Sequence, residues 1–372
     1  MKSLRSIFLS ISVIFYLVAP VAFGQEEAKW KVYREERHEI AIPDILGYKT
    51  VKCDFHTHTV FSDGEVWPTV RVEEAWREGL DAIAITDHIE YQPHREDVPT
   101  NHNRPYEIAF PQAKRRNILL VKGAEITRET PPGHFNAIFV EDIKELDTEL
   151  LEDSVRAANK QGAFVFWNHP GWKGPELGRW GEVQTTLYQN TWMRGIEICN
   201  GDVYYPEAHQ WAMDKNLTMV GNSDIHDPAP ESQITPAGHR TITLVFATEK
   251  TIPALKEALN AGRTTVWCEN RLIGRQEYLK AIFNASFQIG PPDRTEKNTF
   301  TYRIRNDSDV SYELKRAGEN GPSHIELPAN TVIQMQVEVD TETERLQLDY
   351  YVDNLWIAPE KSLPVTLIFS LK

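Results

Sequence analysis

The chain has 372 residues, a net charge of −14 and 25% charged residues. That acidity repels nucleic-acid backbones at long range and argues against a duplex-binding protein, while the length suffices for one large domain and a small second one. Three cysteines leave at least one thiol unpaired and do not indicate a disulfide framework.

Residues 1–24 read as a secretory signal peptide. Lys2 and Arg5 precede an almost continuous apolar run over 7–21, and Ala22, Phe23 and Gly24 place small residues at the cleavage-defining positions. The run is short for a membrane span and contains Pro20. The expectation is an exported protein, periplasmic or secreted, beginning at Gln25 and without stable membrane insertion after processing. Losing Lys2 and Arg5 takes its charge from −14 to −16.

Residues 25–275 read as alternating strands and helices. A strand is expected at 51–55, then a helix at 68–78 opened by Pro68. Strands follow at 81–85 and 118–121, the second preceded by a helix at 106–116, with a strand or extended arm at 135–140. Gly162 ends a helix over 150–161 ahead of a strand at 163–166. Strands at 195–198, 218–220 and 241–246 continue the series, with helices at 206–215 and 252–261. Repeated units of this kind predict a parallel sheet covered by helices and, in this number, closure into an α/β barrel with its active site at the carboxyl ends of the strands. Cys53, Cys199 and Cys268 lie in apolar strand-like runs and read as buried small hydrophobes.

The segment 276–372 changes character. A linking helix at 278–286 precedes short alternating runs separated by turn residues such as Asn306-Asp307-Ser308. This pattern predicts a small all-β sandwich-like domain, suited to a scaffold or dimer-contact role. A homo-oligomer is compatible with the chain.

Nine potential metal ligands fall in short clusters, nearly all just after an apolar strand-like run. They are His56, His58 and Asp63 in D-F-H-T-H-T-V-F-S-D-G, His88 in T-D-H, Glu125 in G-A-E-I-T, His134 in P-G-H-F-N, His169 in W-N-H-P, and Asp224 with His226 in N-S-D-I-H. Neutral imidazole and carboxylate oxygen together suit zinc, manganese or iron. One His-x-His is weak evidence, whereas several clusters in the same relation to strand ends point to a multinuclear metallohydrolase. His56 and His58 are two apart on an extended segment, so both rings project to one side, and Asp224 with His226 repeats that relation. Asp54 and Asp87 flank ligands and are placed to orient their rings; solvated turn acids are the alternative. His94, His102, His209 and His239 lack strand-end placement.

These clusters, with the longer runs F-S-D-G-E-V-W-P-T and W-N-H-P-G-W, resemble the PHP (polymerase and histidinol phosphatase) metallohydrolases over roughly residues 52–267. The wording is similar to a secreted bacterial phosphodiesterase group within that family. The resemblance implies a distorted (β/α)7 barrel holding three divalent ions. It implies His56, His58, Glu125 and Asp224 on the first, Glu125, His134 and His169 on the second, and Asp63, His88 and His226 on the third. Such a centre implies a metal-bridging hydroxide as nucleophile, with no catalytic side chain beyond it. Arg128, Lys173, Arg179 and Arg240 follow strand ends or lie between ligand clusters. Of these, Arg128 and Arg240 are the candidate phosphate contacts, with solvated charge as the default for each. Trp172 and Tyr204, beside ligand-bearing loops, fit a leaving-group pocket or rim packing equally well. The expected activity is hydrolysis of small phosphodiesters. Phosphomonoester hydrolysis on the same centre and a non-catalytic metal-binding scaffold are the alternatives.

Overall fold

The computed structural model describes residues 36–230, 239–294, 299–338 and 345–370. The expected signal peptide, 1–24, lies outside them. No described helix is long and apolar enough to cross a membrane.

The chain enters β1 (Lys49–Asp54), then α1 (Pro68–Arg77), β2 (Ala82–Ile85), α2 (Arg104–Arg116) and β3 (Leu119–Ile126). β4 (Phe135–Ile138), α3 (Leu151–Lys160), β5 (Phe164–Trp167), α4 (Glu182–Gln189) and β6 (Gly195–Asn200) follow. The series continues with β7 (Val203–Tyr204), α5 (Pro206–Asp214), β8 (Thr218–Asn222), β9 (Ile242–Ala247), α6 (Ile252–Asn260), β10 (Thr264–Cys268) and β11 (Arg271–Gly274). Proline opens α1, α5 and α6 in the first turn, where a missing N–H costs nothing. All four residues of β2, β4 and β5 are buried, which is why these strands read as short unbroken apolar runs rather than alternating ones.

Strands β1–β2–β3 pair in parallel, as do β5–β6–β8. β4 runs antiparallel between β3 and β5, and β9 runs antiparallel to both β1 and β10. The sheet is therefore mixed, which corrects the parallel sheet expected from strand–helix alternation. Only loop joins β3 to β4, and without a crossover helix the chain returns antiparallel. β8 meets its other neighbours through side chains instead of a backbone ladder. Phe55 N donates to Asn222 Oδ1 at 2.8 Å, and Gly221 N donates to Thr243 Oγ1 at 3.0 Å.

One apolar cluster gathers Val51, Cys53 and Phe55 with Ala82, Ala84, Phe164, Val220 and Val245, while Ile83 and Ile85 on the other face pack with Val72 and Ala75 of α1. Burying a phenylalanine fully, as at Phe55 or Phe164, contributes about 2–3 kcal/mol. All three cysteines are free and buried.

After α7 (Gln276–Ser286) come β12 (Phe287–Ile289), β13 (Asp293–Arg294), β14 (Thr299–Asn306), β15 (Tyr312–Arg316), β16 (His324–Leu327), β17 (Val332–Glu338), β18 (Arg345–Ala358) and β19 (Lys361–Ser370). β12, β13 and β17 surround β14 in a small sheet. β15 and β19 flank β18, with β16 paired outside β15, and Tyr302 meets Phe369 edge-on between the two sheets, ring centroids 4.9 Å apart. β18 does two jobs. Its first half belongs to the β-rich region, and past a register shift Leu355 and Trp356 pair in parallel with Leu272 and Ile273 of β11. Strands of both regions thereby share one hydrogen-bonded sheet, from which the small sheet around β14 stays separate.

Candidate metal centre

The ligand-bearing segments converge at one edge of the sheet. His56 and His58 leave the end of β1, His88 leaves β2, Glu125 sits in the last turn of β3, and His169 follows β5. Because β4 runs backwards, its amino end lies at the same edge, and His134 enters immediately before it. Beyond the strands, Thr57 pairs with Ile225 and His88 with Glu125 in isolated parallel bridges. The first bridge sets the His56–His58 pair alongside the Asp224–His226 pair in register.

Glu125 is fully buried at the centre. Its Oε2 lies 3.3 Å from Nε2 of both His56 and His58 and 2.9 Å from His88 Nδ1. Its Oε1 lies 2.9 Å from His134 Nδ1 and 3.5 Å from His169 Nε2. Asp224 Oδ1 approaches the same two Nε2 atoms, at 3.1 Å from His56 and 3.0 Å from His58. Asp63 Oδ1 lies 3.2 Å from His226 Nε2 and 3.4 Å from His88 Nε2. All nine expected residues are thus brought together. The grouping is less segregated than the implied three-way division, since His169 clusters with His56 and Asp224, and His88 with Glu125 and His134.

The donor set fits divalent cations. Donor–donor separations of 3.0–3.3 Å around His56, His58, Glu125 and Asp224 match polyhedron edges of roughly 3.0–3.4 Å for ligands about 2.1 Å from an ion. His58 Nε2, Asp63 Oδ1 and Asp224 Oδ1 are buried without a hydrogen-bond partner, a costly arrangement unless something cationic satisfies them. Burial, helped by neighbouring His88, pushes the His58 imidazole down to about 3, so it is neutral and ready to donate. Burial would raise the Glu125 carboxyl, but the charges of His88 and His56 outweigh it and hold it well below the usual carboxylate range.

Backbone strain marks the same place. Asp224 has φ +52° and His169 φ +26°, left-handed values that cost of order 1–3 kcal/mol per residue. Hydrogen bonds hold both: Asp224 N donates to His56 O at 2.9 Å, and His169 N to Glu197 Oε2 at 2.8 Å. In the Ser-Asp-Gly turn that aims Asp63, a Cβ on Gly64 would sit 2.6 Å from the His58 carbonyl carbon, so only glycine lets the turn close there.

The surrounding residues were partly foreseen. Asp87 takes hydrogen bonds from Thr59 and from Ser62 Oγ, itself 3.2 Å from His58 Nδ1. Asp54 accepts from Ser223 and from the His56 backbone. Sequence reasoning missed Glu197, whose signal was an acid inside the apolar strand G-I-E-I-C. Its Oε1 accepts from His56 Nδ1 and Asn222 Nδ2, both at 2.9 Å, and its Oε2 accepts from His169 N and from Asn200 Nδ2 at 3.0 Å. It also missed Arg71 of α1, buried in an ion pair with Glu74, whose guanidinium donates to the carbonyls of His58, Ile225, His226 and Asp227. Arg71 ties together the two loops that carry paired ligands.

Glu197→Gln should weaken metal binding 10–100-fold with little change of fold, because an amide replaces one of the two oxygens and so turns two of the four accepting contacts into a donor facing donors. A chelator-competition titration measures this, and unchanged affinity would show that Glu197 only packs.

Arg240 is absent from the lining of the main cleft and instead lines a smaller pocket that shares Asp224 and His226 with it. It is buried, its Nε and Nη2 donate to Glu78 at 2.7 and 2.8 Å, and its Nη1 donates to Asp54 at 3.1 Å. Arg128 does line the cleft over the centre, with Nη1 on Glu90 and Nη2 on Thr148 O and Ser154 Oγ. Arg179 is exposed and pairs with Glu176. His94, His102, His209 and His239 stay outside the centre; His209 bonds Tyr204, and His239 packs on Trp267.

A histidine–carboxylate cluster at the strand ends of a mixed α/β sheet, followed by a β-rich module, is the architecture of a two-domain metalloprotein. Residues 287–368 match the model of an Ig-like domain family. A solved structure from Bacteroides vulgatus, of a two-domain protein containing a predicted PHP-like metal-dependent phosphoesterase, is 43% identical. The match covers 90% of this chain and 99% of that one, with a TM-score of 0.85. An uncharacterized protein of Methanocaldococcus jannaschii is 28% identical over 192 residues, 48% of this chain and 83% of its own length. The chain belongs to the family of PHP-like two-domain proteins.

Proposed function

We propose that this protein is a metal-dependent phosphoester hydrolase acting preferentially on small diesters. The observation that carries the reading is the nest of donors sharing Glu125 and Asp224 at the floor of a cleft of about 1090 Å³. We read the curled mixed sheet as the distorted PHP-type barrel, with residues 25–275 as the metallohydrolase domain and 276–372 as linker and β-sandwich. The four overlapping donor groups would hold up to three ions of manganese, iron or zinc. Bound there, such ions supply Lewis acidity toward phosphoryl oxygens and a water acidic enough to attack phosphorus near neutral pH.

The chain's own groups hold and orient the substrate. Asn200 Nδ2, 3.2 Å from Asp224 Oδ2, fixes that carboxylate at the cleft wall. Tyr205 lines the same wall; burial, with Glu197 and Asp224 nearby, pushes its phenol up, so it stays a neutral donor for a phosphoryl oxygen. Cleft-wall cations are few. Arg128 is engaged with Glu90, and Lys173 lies 3.6 Å from Glu129. With Glu149 also on the rim, this wall disfavours polyanions and suits a diester carrying one charge. Processing at Gln25 would deliver the enzyme to a periplasmic or extracellular location.

The chain from Gln25 onward, stripped by chelator and reloaded separately with manganese, iron or zinc, tests the reading on bis-p-nitrophenyl and p-nitrophenyl phosphate. Metal-restored turnover favouring the diester is expected. Turnover favouring the monoester would make the protein a phosphatase, and inertness of the metal-loaded protein toward both would remove the assignment.

A further inference from the structure

Two ligand loops repeat one device. His88 is followed three residues later by Tyr91, and His169 three residues later by Trp172. Each aromatic ring lies edge-on to its own histidine, with centroids 5.9 Å apart at 67° for Tyr91 and 5.6 Å apart at 79° for Trp172. Trp172 also touches His134 at 5.7 Å, and His134 lies 5.8 Å from His88. Tyr91, His88, His134 and Trp172 therefore form a continuous row across the centre, ligand histidines in the middle and an aromatic at each end, with His169 beside Trp172. In the tryptophan loop, Trp172 N closes the turn on His169 O at 3.1 Å. Gly171 leaves room for Tyr205, which would come within 2.9 Å of a Cβ there.

Both end rings line the cleft, yet Tyr91 is 52% and Trp172 50% exposed. Large aromatic faces left open to water beside a buried polar site favour a ligand that covers them. Lys173 Nζ sits 4.7 Å from the Trp172 ring centroid, a cation–π contact that holds the indole.

On the phosphodiesterase reading above, we propose that Tyr91 and Trp172 form an ester-group subsite and that the substrate is a small phosphodiester bearing a planar aromatic substituent. The metal donors would take the phosphoryl group, and one of the end rings would stack against the ester substituent. An alkyl group of the same charge would leave that ring bare.

The test compares p-nitrophenyl phenyl phosphate with p-nitrophenyl methyl phosphate on the metal-loaded protein. The leaving group is identical, so the ratio of kcat/KM reports recognition of the second substituent. Wild type should prefer the phenyl ester about tenfold or more, and Trp172→Ala or Tyr91→Ala should reduce that ratio about tenfold. Trp172→Phe should retain most of it. If the rings merely prop the histidines, the variants will slow both esters equally, and the unchanged ratio would overturn the proposal. Calorimetric binding of phenyl phosphate against methyl phosphate reads the subsite without turnover. Tighter phenyl binding that Trp172→Ala removes supports it even if hydrolysis fails, whereas equal binding of the two overturns it while leaving the hydrolase reading to its own assay.

Discussion

Asp224→Asn should cost at least about a thousandfold in turnover, roughly 4 kcal/mol of transition-state stabilisation, and should lower the metal bound per chain. Asp224 Oδ1 lies 3.1 Å from His56 Nε2 and 3.0 Å from His58 Nε2, while its Oδ2 is 3.8 Å from His169 Nε2. One carboxylate therefore closes the donor group of the most buried histidine pair. Asparagine is the informative replacement because it tolerates the left-handed backbone at φ +52° that alanine resists. The change then removes charge with little added backbone strain. Elemental analysis after loading, beside the diester assay, gives the answer. A variant retaining full metal content and full turnover would mean that the centre has been placed on the wrong residues.

The candidate donor cluster was legible because its information is local. A His-x-His or Asp-x-His triplet on an extended segment, following an apolar run, states both the chemistry and the direction of the side chains. What was not legible comes from partners far apart in sequence. His56 and Glu197 are 141 residues apart, and Arg71 reaches loop carbonyls as far as 156 residues away. Neither residue carries a local pattern beyond a charge inside an apolar element. Strand direction was hidden for the same reason: the four buried residues of β4 read identically in either orientation, and only pairing with β3 and β5 sets it. The helix α4 escaped because E-V-Q-T-T-L-Y-Q buries only Gln184 and Leu187 and so shows almost no apolar stripe. In the C-terminal region strands alternate buried and exposed residues, as in β19, so the sequence shows short alternating runs there. The second half of β18 instead loses its alternation where it joins β11.

The misread Arg240 yields the largest stability effect. Its guanidinium is held by both oxygens of Glu78 and by Asp54, and all three side chains are buried to 4% exposure or less. Burial raises the Asp54 carboxyl, and Arg240 opposes that rise. Arg240→Met would fill much of the volume but leave two buried carboxylates uncompensated, which costs about 3–5 kcal/mol. The pH dependence has a definite sign. Without the arginine, the folded-state Asp54 carboxyl rises further above its unfolded value, so the folded variant binds more protons than the unfolded chain between those two values. Its stability then falls as pH rises through that window, beginning near pH 4. Denaturant melts of wild type and variant should show the deficit in full near neutral pH and a narrower gap in mild acid. A constant gap from pH 4 to 8 would mean that the variant's loss comes from packing rather than from the stranded acids. Because Asp54 also accepts from Ser223 and the His56 backbone, a gap of the expected form would tie the electrostatics of the fold to the placement of His56, the first candidate ligand.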